Sequence, residues 1–178
     1  AIEDISLMRT LPNMTVINPA DAKEAEEAVK AAVEYVGPVY IRLGRAAVDD
    51  IHGDDYKFQW GKGEVLRDGS DVAIIATGIM VGKALEAADT LAKEGIQAAV
   101  VNIHTIKPLD EQLIIDMAKK TGKVVTAEEA TVMGGLGSAV AETLARNCPT
   151  KQAFVGIQDT FGESGAPADL LKKYGLTA

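Results

Sequence analysis

Few residues in this chain combine a reactive type with a telling position. Arg45 closes the run Val39-Tyr40-Ile41-Arg42-Leu43-Gly44-Arg45, apolar residues that give way to a glycine and a cation. Ligands of open α/β sheets gather beyond the C-terminal ends of parallel strands, where a guanidinium can grip a phosphate with two parallel N–H donors. A solvated surface arginine is the competing reading. Two glycine turns, Thr77-Gly78-Ile79-Met80-Val81-Gly82 and Met133-Gly134-Gly135-Leu136-Gly137-Ser138, can present backbone N–H groups to an anion. Neither fits G-x-G-x-x-G or a nucleotide phosphate loop, so tight strand-to-helix turns are their plainer reading. His52 and His104 have no carboxylate, Cys or Ser at a spacing that makes a catalytic set, and read as structural. Glu128 and Glu129 follow a predicted strand, where paired acids usually cap the next turn or face water. Nothing near Cys148 would lower its thiol pKa.

The elements that must position these residues follow from hydrophobic period. Residues 14–17 form a short apolar run and predict a strand. Ala25, Ala28, Val29, Ala32, Val33 and Val36 then fall on one face of a helix. Asp21 and Glu24 form a capping-box-like start to it, and Gly37-Pro38 stops it. With a second strand at 39–43, residues 14–43 make a βαβ unit with a parallel crossover. Two strands and one helix cannot cover both faces of a sheet, so this unit needs partners from elsewhere. Residues 49–61 lose all periodicity and read as a linker, with Tyr56, Phe58 and Trp60 to pin it to a domain surface. From Gly61 onward strands are expected at 64–66, 72–76, 98–103, 124–127 and 153–157. Helices are expected between the later ones, with Gly95 as a stop and Asp110 as a cap, and a short helix near Leu170, Leu171 and Tyr174. The alternation predicts a complete doubly wound, mostly parallel α/β domain preceded by a partial βαβ piece.

Composition narrows the partners. At 178 residues with 47% hydrophobic and only 4% aromatic residues, the core must be aliphatic. A formal net charge of −8, with no basic cluster to offset it, argues against nucleic acid and acidic membranes. One cysteine and two histidines can make neither a disulfide nor a tetrahedral zinc site, which suits a reducing cytoplasm. The chain opens without Met and with helical spacing already under way, so a fragment is the expectation.

Four stretches resemble the transketolase family. ISLMRTLPNMTVINPAD at residues 5–21 resembles the late part of its pyrimidine-binding domain. NIHTIKPLD at 102–110, Glu128-Glu129 followed by Gly134-Gly135-Leu136-Gly137, and FGESGAPADLLKKYGL at 161–176 resemble landmarks of its C-terminal domain. Together they span nearly the whole chain, and the wording is most similar to the C-terminal subunit of split bacterial or archaeal transketolases. The resemblance implies a remnant of the pyrimidine-binding domain at 1–48, a linker at 49–61 and the C-terminal domain at 62–178. It implies an intact assembly that moves a two-carbon ketol unit between sugar phosphates, using thiamine diphosphate and Mg2+ or Ca2+. The expected partners are a second copy in a homodimer and a diphosphate-binding domain or subunit. The glutamate that activates the cofactor and the substrate-contacting histidine of the family have no counterparts among these residues. No cofactor is therefore expected on them alone, and their own role is assembly. Of the family's substrate residues only Arg45 maps onto this sequence, as a phosphate ligand. Deoxyxylulose-phosphate synthase and the β subunit of 2-oxo-acid dehydrogenases share the architecture and remain rivals, as does a non-catalytic assembly module or a nucleotide binder.

Overall fold

The chain opens with helix α1 (Asp4–Thr10), strand β1 (Thr15–Ile17), helix α2 (Ala22–Glu34) and strand β2 (Val39–Ile41) in a computed structural model that describes residues 1–178. Asp21 starts α2 as its sequence predicts. Its Oδ1 accepts from the Glu24 N–H at 2.8 Å, and Glu24 Oε2 accepts from the Ala20 N–H at 2.7 Å. Asp21 thus satisfies an amide that the first helical turn leaves without a partner, typically contributing about 1 kcal/mol, and Glu24 satisfies the amide just before the cap. β1 and β2 pair in parallel, with Val16 opposite Tyr40.

The predicted apolar face of α2 is not a buried one. Ala28 is fully buried, but Val33 is 82% and Val36 97% exposed. The helix ends at Glu34, so Val36 lies beyond it, and no neighbouring element covers the face of the helix at Val33.

The second unit consists of β3 (Glu64–Arg67), β4 (Val72–Ala76), α3 (Met80–Lys93), β5 (Ala98–Asn102), β6 (Thr105–Lys107), α4 (Glu111–Thr121), β7 (Lys123–Thr131), α5 (Leu136–Asn147), β8 (Lys151–Ile157) and α6 (Pro167–Lys173). Five strands form one sheet in the order β3-β5-β4-β7-β8, with β3 antiparallel to β5 and the others parallel. Side chains alternate across β4. Ala73 and Ile75 pack with Ile114, Val140 and Leu144 from α4 and α5, while Ile74 and Ala76 pack with Met80, Val81, Ala84 and Ala88 from α3. Helices on both faces make this the expected doubly wound sheet. Gly122, at φ +68°, ends α4 in the left-handed conformation, and its N–H reaches the Ala118 carbonyl at 2.8 Å.

Two strands depart from expectation. β6, which hydrophobic period did not reveal, leaves the second unit and pairs antiparallel with β1, giving a second sheet in the order β2-β1-β6. The first unit therefore receives one of its missing partners from within the chain. β7 runs on to Thr131, so Glu128 and Glu129 lie inside a strand instead of after one, across an irregularity in register between Ala127 and Thr131. The segment at 49–61 carries no regular structure. Its aromatics pin it as foreseen: Trp60 stacks on Tyr35 at 4.3 Å between centroids, and Phe58 lies 4.3 Å from the His104 ring.

Candidate functional site

Beyond the C-terminal end of β2, the turn Leu43-Gly44-Arg45 opens on a cavity of about 410 Å³. Its floor is apolar, with Ile79, Ile157 and Leu170 among its lining residues, and Arg42, Arg45, Glu129 and Glu163 supply the charges. The two arginines differ in their surroundings. Arg42, 12% exposed, binds Asp4 Oδ2 through Nε at 3.0 Å and Glu129 Oε2 through Nη1 at 3.1 Å. Tyr40 donates its hydroxyl to the same Asp4 oxygen at 2.6 Å. Burial opposes ionisation of Asp4, but the Tyr40 hydroxyl and the Arg42 guanidinium prevail and hold its carboxyl below the ordinary value. The same burial and the hydrogen bond to Asp4 push Tyr40 up to about 12. Glu163 is paired with Lys173 at 2.7 Å. Arg45 is exposed and pairs with no carboxylate, so it is the uncompensated cation of the cavity.

The glycine turns are filled from within. Glu128 is buried and accepts from the N–H groups of Leu136 and Gly137, at 2.7 and 2.8 Å, at the start of α5. The anion that this helix N-terminus favours is a side chain of the protein itself. A Cβ on Gly135 would lie 2.0 Å from Glu128 Oε2, which is why glycine stands there. Burial outweighs the two amide donors and pushes the Glu128 carboxyl up to about 7. At the other turn Gly78, at φ +58°, lies against the buried Asn18 amide, and its N–H bonds the Asn18 carbonyl at 3.2 Å.

The family model described as "Transketolase, C-terminal domain" matches residues 61–178, and that described as "Transketolase, pyrimidine binding domain" matches residues 1–50. The chain belongs to the transketolase family. It is 50% identical, over its whole length, to a protein of Clostridium sp. (strain MSTE9) named 6-deoxy-6-sulfo-D-fructose transketolase subunit SqwH, and covers 55% of that protein. It is 45% identical over 98% of its length to a putative transketolase C-terminal section of Methanocaldococcus jannaschii, again covering 55%. The chain thus spans about half the length of these relatives. Among solved structures, one described as "Split gene transketolase, inactive beta4 tetramer" superposes with a TM-score of 0.97 at 55% identity, over 99% of this chain and 58% of that one.

The glycine turns of this transketolase chain offer no place for the diphosphate of thiamine diphosphate, being covered by Glu128 and Asn18, and no group of three His, Cys, Asp or Glu side chains is disposed to hold its metal ion. The chain's other polar concentration is a junction. Asp21 Oδ2 accepts from the Ile51 and His52 N–H groups at 2.8 and 2.7 Å and lies 2.9 Å from His52 Nδ1, while His52 Nε2 lies 3.2 Å from Glu64 Oε2. Beside it, buried Glu24 Oε1 accepts from the Tyr56 hydroxyl at 2.7 Å and the Asn102 amide at 2.8 Å. Burial raises the Glu24 carboxyl despite these donors. These groups join α2, the 49–61 segment and two strands of the large sheet, so His52 is structural but not isolated. His104, buried against Phe58, is driven down to about 4 by burial and then by the charge of His52. Sequence spacing concealed both the junction and the Asp4–Arg42–Glu129 cluster.

Proposed function

We propose that this chain is the C-terminal part of a split transketolase, in which a partner supplies the diphosphate-binding domain and the assembly moves a two-carbon ketol unit between sugar substrates. In this reading residues 1–48 complete a pyrimidine-binding domain, 49–61 link, and 62–178 form the C-terminal domain. Thiamine diphosphate, held with a divalent metal by other parts of the assembly, supplies the carbanion chemistry. Self-association covers the apolar surface that Val33 and Val36 expose, with a homodimer as the smallest closed form.

Within this chain Arg45 grips the terminal oxyanion of the substrate. The single observation that carries this assignment is an unpaired guanidinium in a cavity whose other charges are already matched. The Clostridium relative is named for a sulfonated sugar. A guanidinium fork serves sulfonate and phosphate alike, so the substrate class is a sugar bearing a terminal oxyanion.

The test uses the chain assembled with its diphosphate-domain partner. Arg45 is exposed in the free chain, and where the bound substrate closes it off from solvent, removing one member of the charge-assisted pair costs roughly 2–4 kcal/mol. Arg45→Ala should therefore raise KM for a phosphorylated acceptor by about thirty- to a thousandfold, with kcat much less affected because the phosphate is remote from the bond that breaks. Arg45→Lys should recover part of the loss. Glycolaldehyde, which has no oxyanion, should be insensitive. Equal losses with both acceptors would make Arg45 structural, and turnover of pyruvate in place of ketose phosphates would move the assembly to another branch of the thiamine enzymes.

A further inference from the structure

Arg45 stays free because Glu129, which lines the same cavity, already has a partner. That partner is Arg42. Besides its two carboxylates, Arg42 donates through Nη2 to the carbonyls of Glu129 and Ala1, at 3.0 and 3.2 Å, and its backbone N–H reaches the Ile17 carbonyl at 2.8 Å. Nε, both terminal nitrogens and the backbone amide are all engaged. Asp4 belongs to α1 and Glu129 to β7, so one side chain ties the first unit to the large sheet at the mouth of the cavity. Arg45 lies three positions after Arg42, a tether of about 10 Å at most. Midway along it Gly44 lies against α3, where a Cβ would be 3.5 Å from Ile79 Cγ2. The turn is thus anchored at its start by Arg42 and runs beside α3 at Gly44. Without the Arg42 guanidinium, Glu129 would be a half-exposed carboxylate seeking a cation in a cavity that offers Arg45, and an internal ion pair would then compete with any ligand.

We propose that Arg42 is a positioning and selectivity residue of the Arg45 site: by engaging Asp4 and Glu129 it fixes the end of β2 and keeps the Glu129 carboxylate from occupying the Arg45 guanidinium in place of substrate. The inference rests on the oxyanion reading of Arg45 given above. It makes Glu129, on the C-terminal unit, a participant in substrate selection although it touches no substrate.

The experiment is a double-variant cycle in the assembled enzyme, with a phosphorylated acceptor and with glycolaldehyde. Arg42→Gln should raise KM for the phosphorylated acceptor about ten- to a hundredfold, the scale of one competing ion pair, while kcat and the glycolaldehyde kinetics stay within about threefold. Adding Glu129→Gln to Arg42→Gln removes the competitor and should recover most of the KM loss, leaving the part that Arg42 contributes by fixing the end of β2 through Asp4. Arg42→Lys, which can hold one carboxylate, should fall between. Inhibition by inorganic phosphate should follow the same order. A purely structural Arg42 cannot produce the recovery, since a second lesion in the same cluster would then add to the first. The inference is overturned if the double variant binds the phosphorylated acceptor no better than Arg42→Gln, or if both acceptors suffer equally. Should Arg45→Ala raise KM while Arg42→Gln and Arg42→Lys do not, this inference alone fails. Should Arg45→Ala have no effect, the oxyanion reading fails and takes the inference with it.

Discussion

The two units of this chain solve the same problem with unequal means. In the second, β4 and β5 are covered on both faces by α3 on one side and by α4 and α5 on the other, and every residue of β5 is buried. In the first, three-residue strands are completed by β6, borrowed from the second unit, and Val33 of α2 and Val36 just beyond it are open to solvent. Both units carry apolar residues at the right spacing. What separates them is whether a neighbouring element arrives to bury those residues, and burial rather than pattern is what stabilises.

The largest expected effect lies at the centre of the large sheet. Ile75 is fully buried among Ala99, Val101 and other core residues, so Ile75→Ala should lower unfolding free energy by about 2–5 kcal/mol through lost transfer energy and the cavity left behind. Denaturant midpoints with an unchanged slope would measure it. A loss below about 1 kcal/mol would mean the second unit is as loosely covered as the first.

An intermediate effect is written in pH, and it pits two buried groups of the second unit against each other. Glu128 is raised from 4.5 to about 7, so its folded form holds a proton that the unfolded chain has released; its contribution is complete below about 4.5 and is lost as pH rises through about 7. His104 is lowered from 6.5 to about 4, so its contribution is complete above about 6.5 and is lost as pH falls toward about 4. The two slopes oppose each other over the shared window. Glu128→Gln should remove the first and leave a profile that rises with pH more steeply than the parent's, by up to about 1.4 kcal/mol per pH unit. Parallel profiles for variant and parent would show that Glu128 does not change its protonation in this range.

The smallest effect belongs to the first unit. Val36→Ser, at a side chain 97% exposed, should change the stability of the dilute chain by no more than about 0.5 kcal/mol. A loss approaching that of Ile75→Ala would show the surface beyond the end of α2 to be covered in solution and would end the contrast between the units.

Local chemistry carried much of this outcome. Asp21 and Asp110 cap their helices because a short carboxylate after an extended residue reaches the free amides of the next turn, and Gly122 ends α4 because it alone adopts a positive φ without strain. Consecutive Val, Ile and Ala residues specified strands buried on both faces, and the motifs at 5–21 and 161–176 specified the family. β6 could not be read this way. It is three residues long and its pairing with β1 joins segments about ninety positions apart, so no local period announces it. A similar separation, 87 positions, hid Arg42 with Glu129. By itself the sequence determined most of the helices and strands, β6 excepted, and that Arg45 follows a parallel strand. Only the tertiary structure decided which charges meet. Helix caps and strand periods depend on neighbours within a few residues, whereas whether a guanidinium is matched or free depends on carboxylates that the fold brings from elsewhere in the chain.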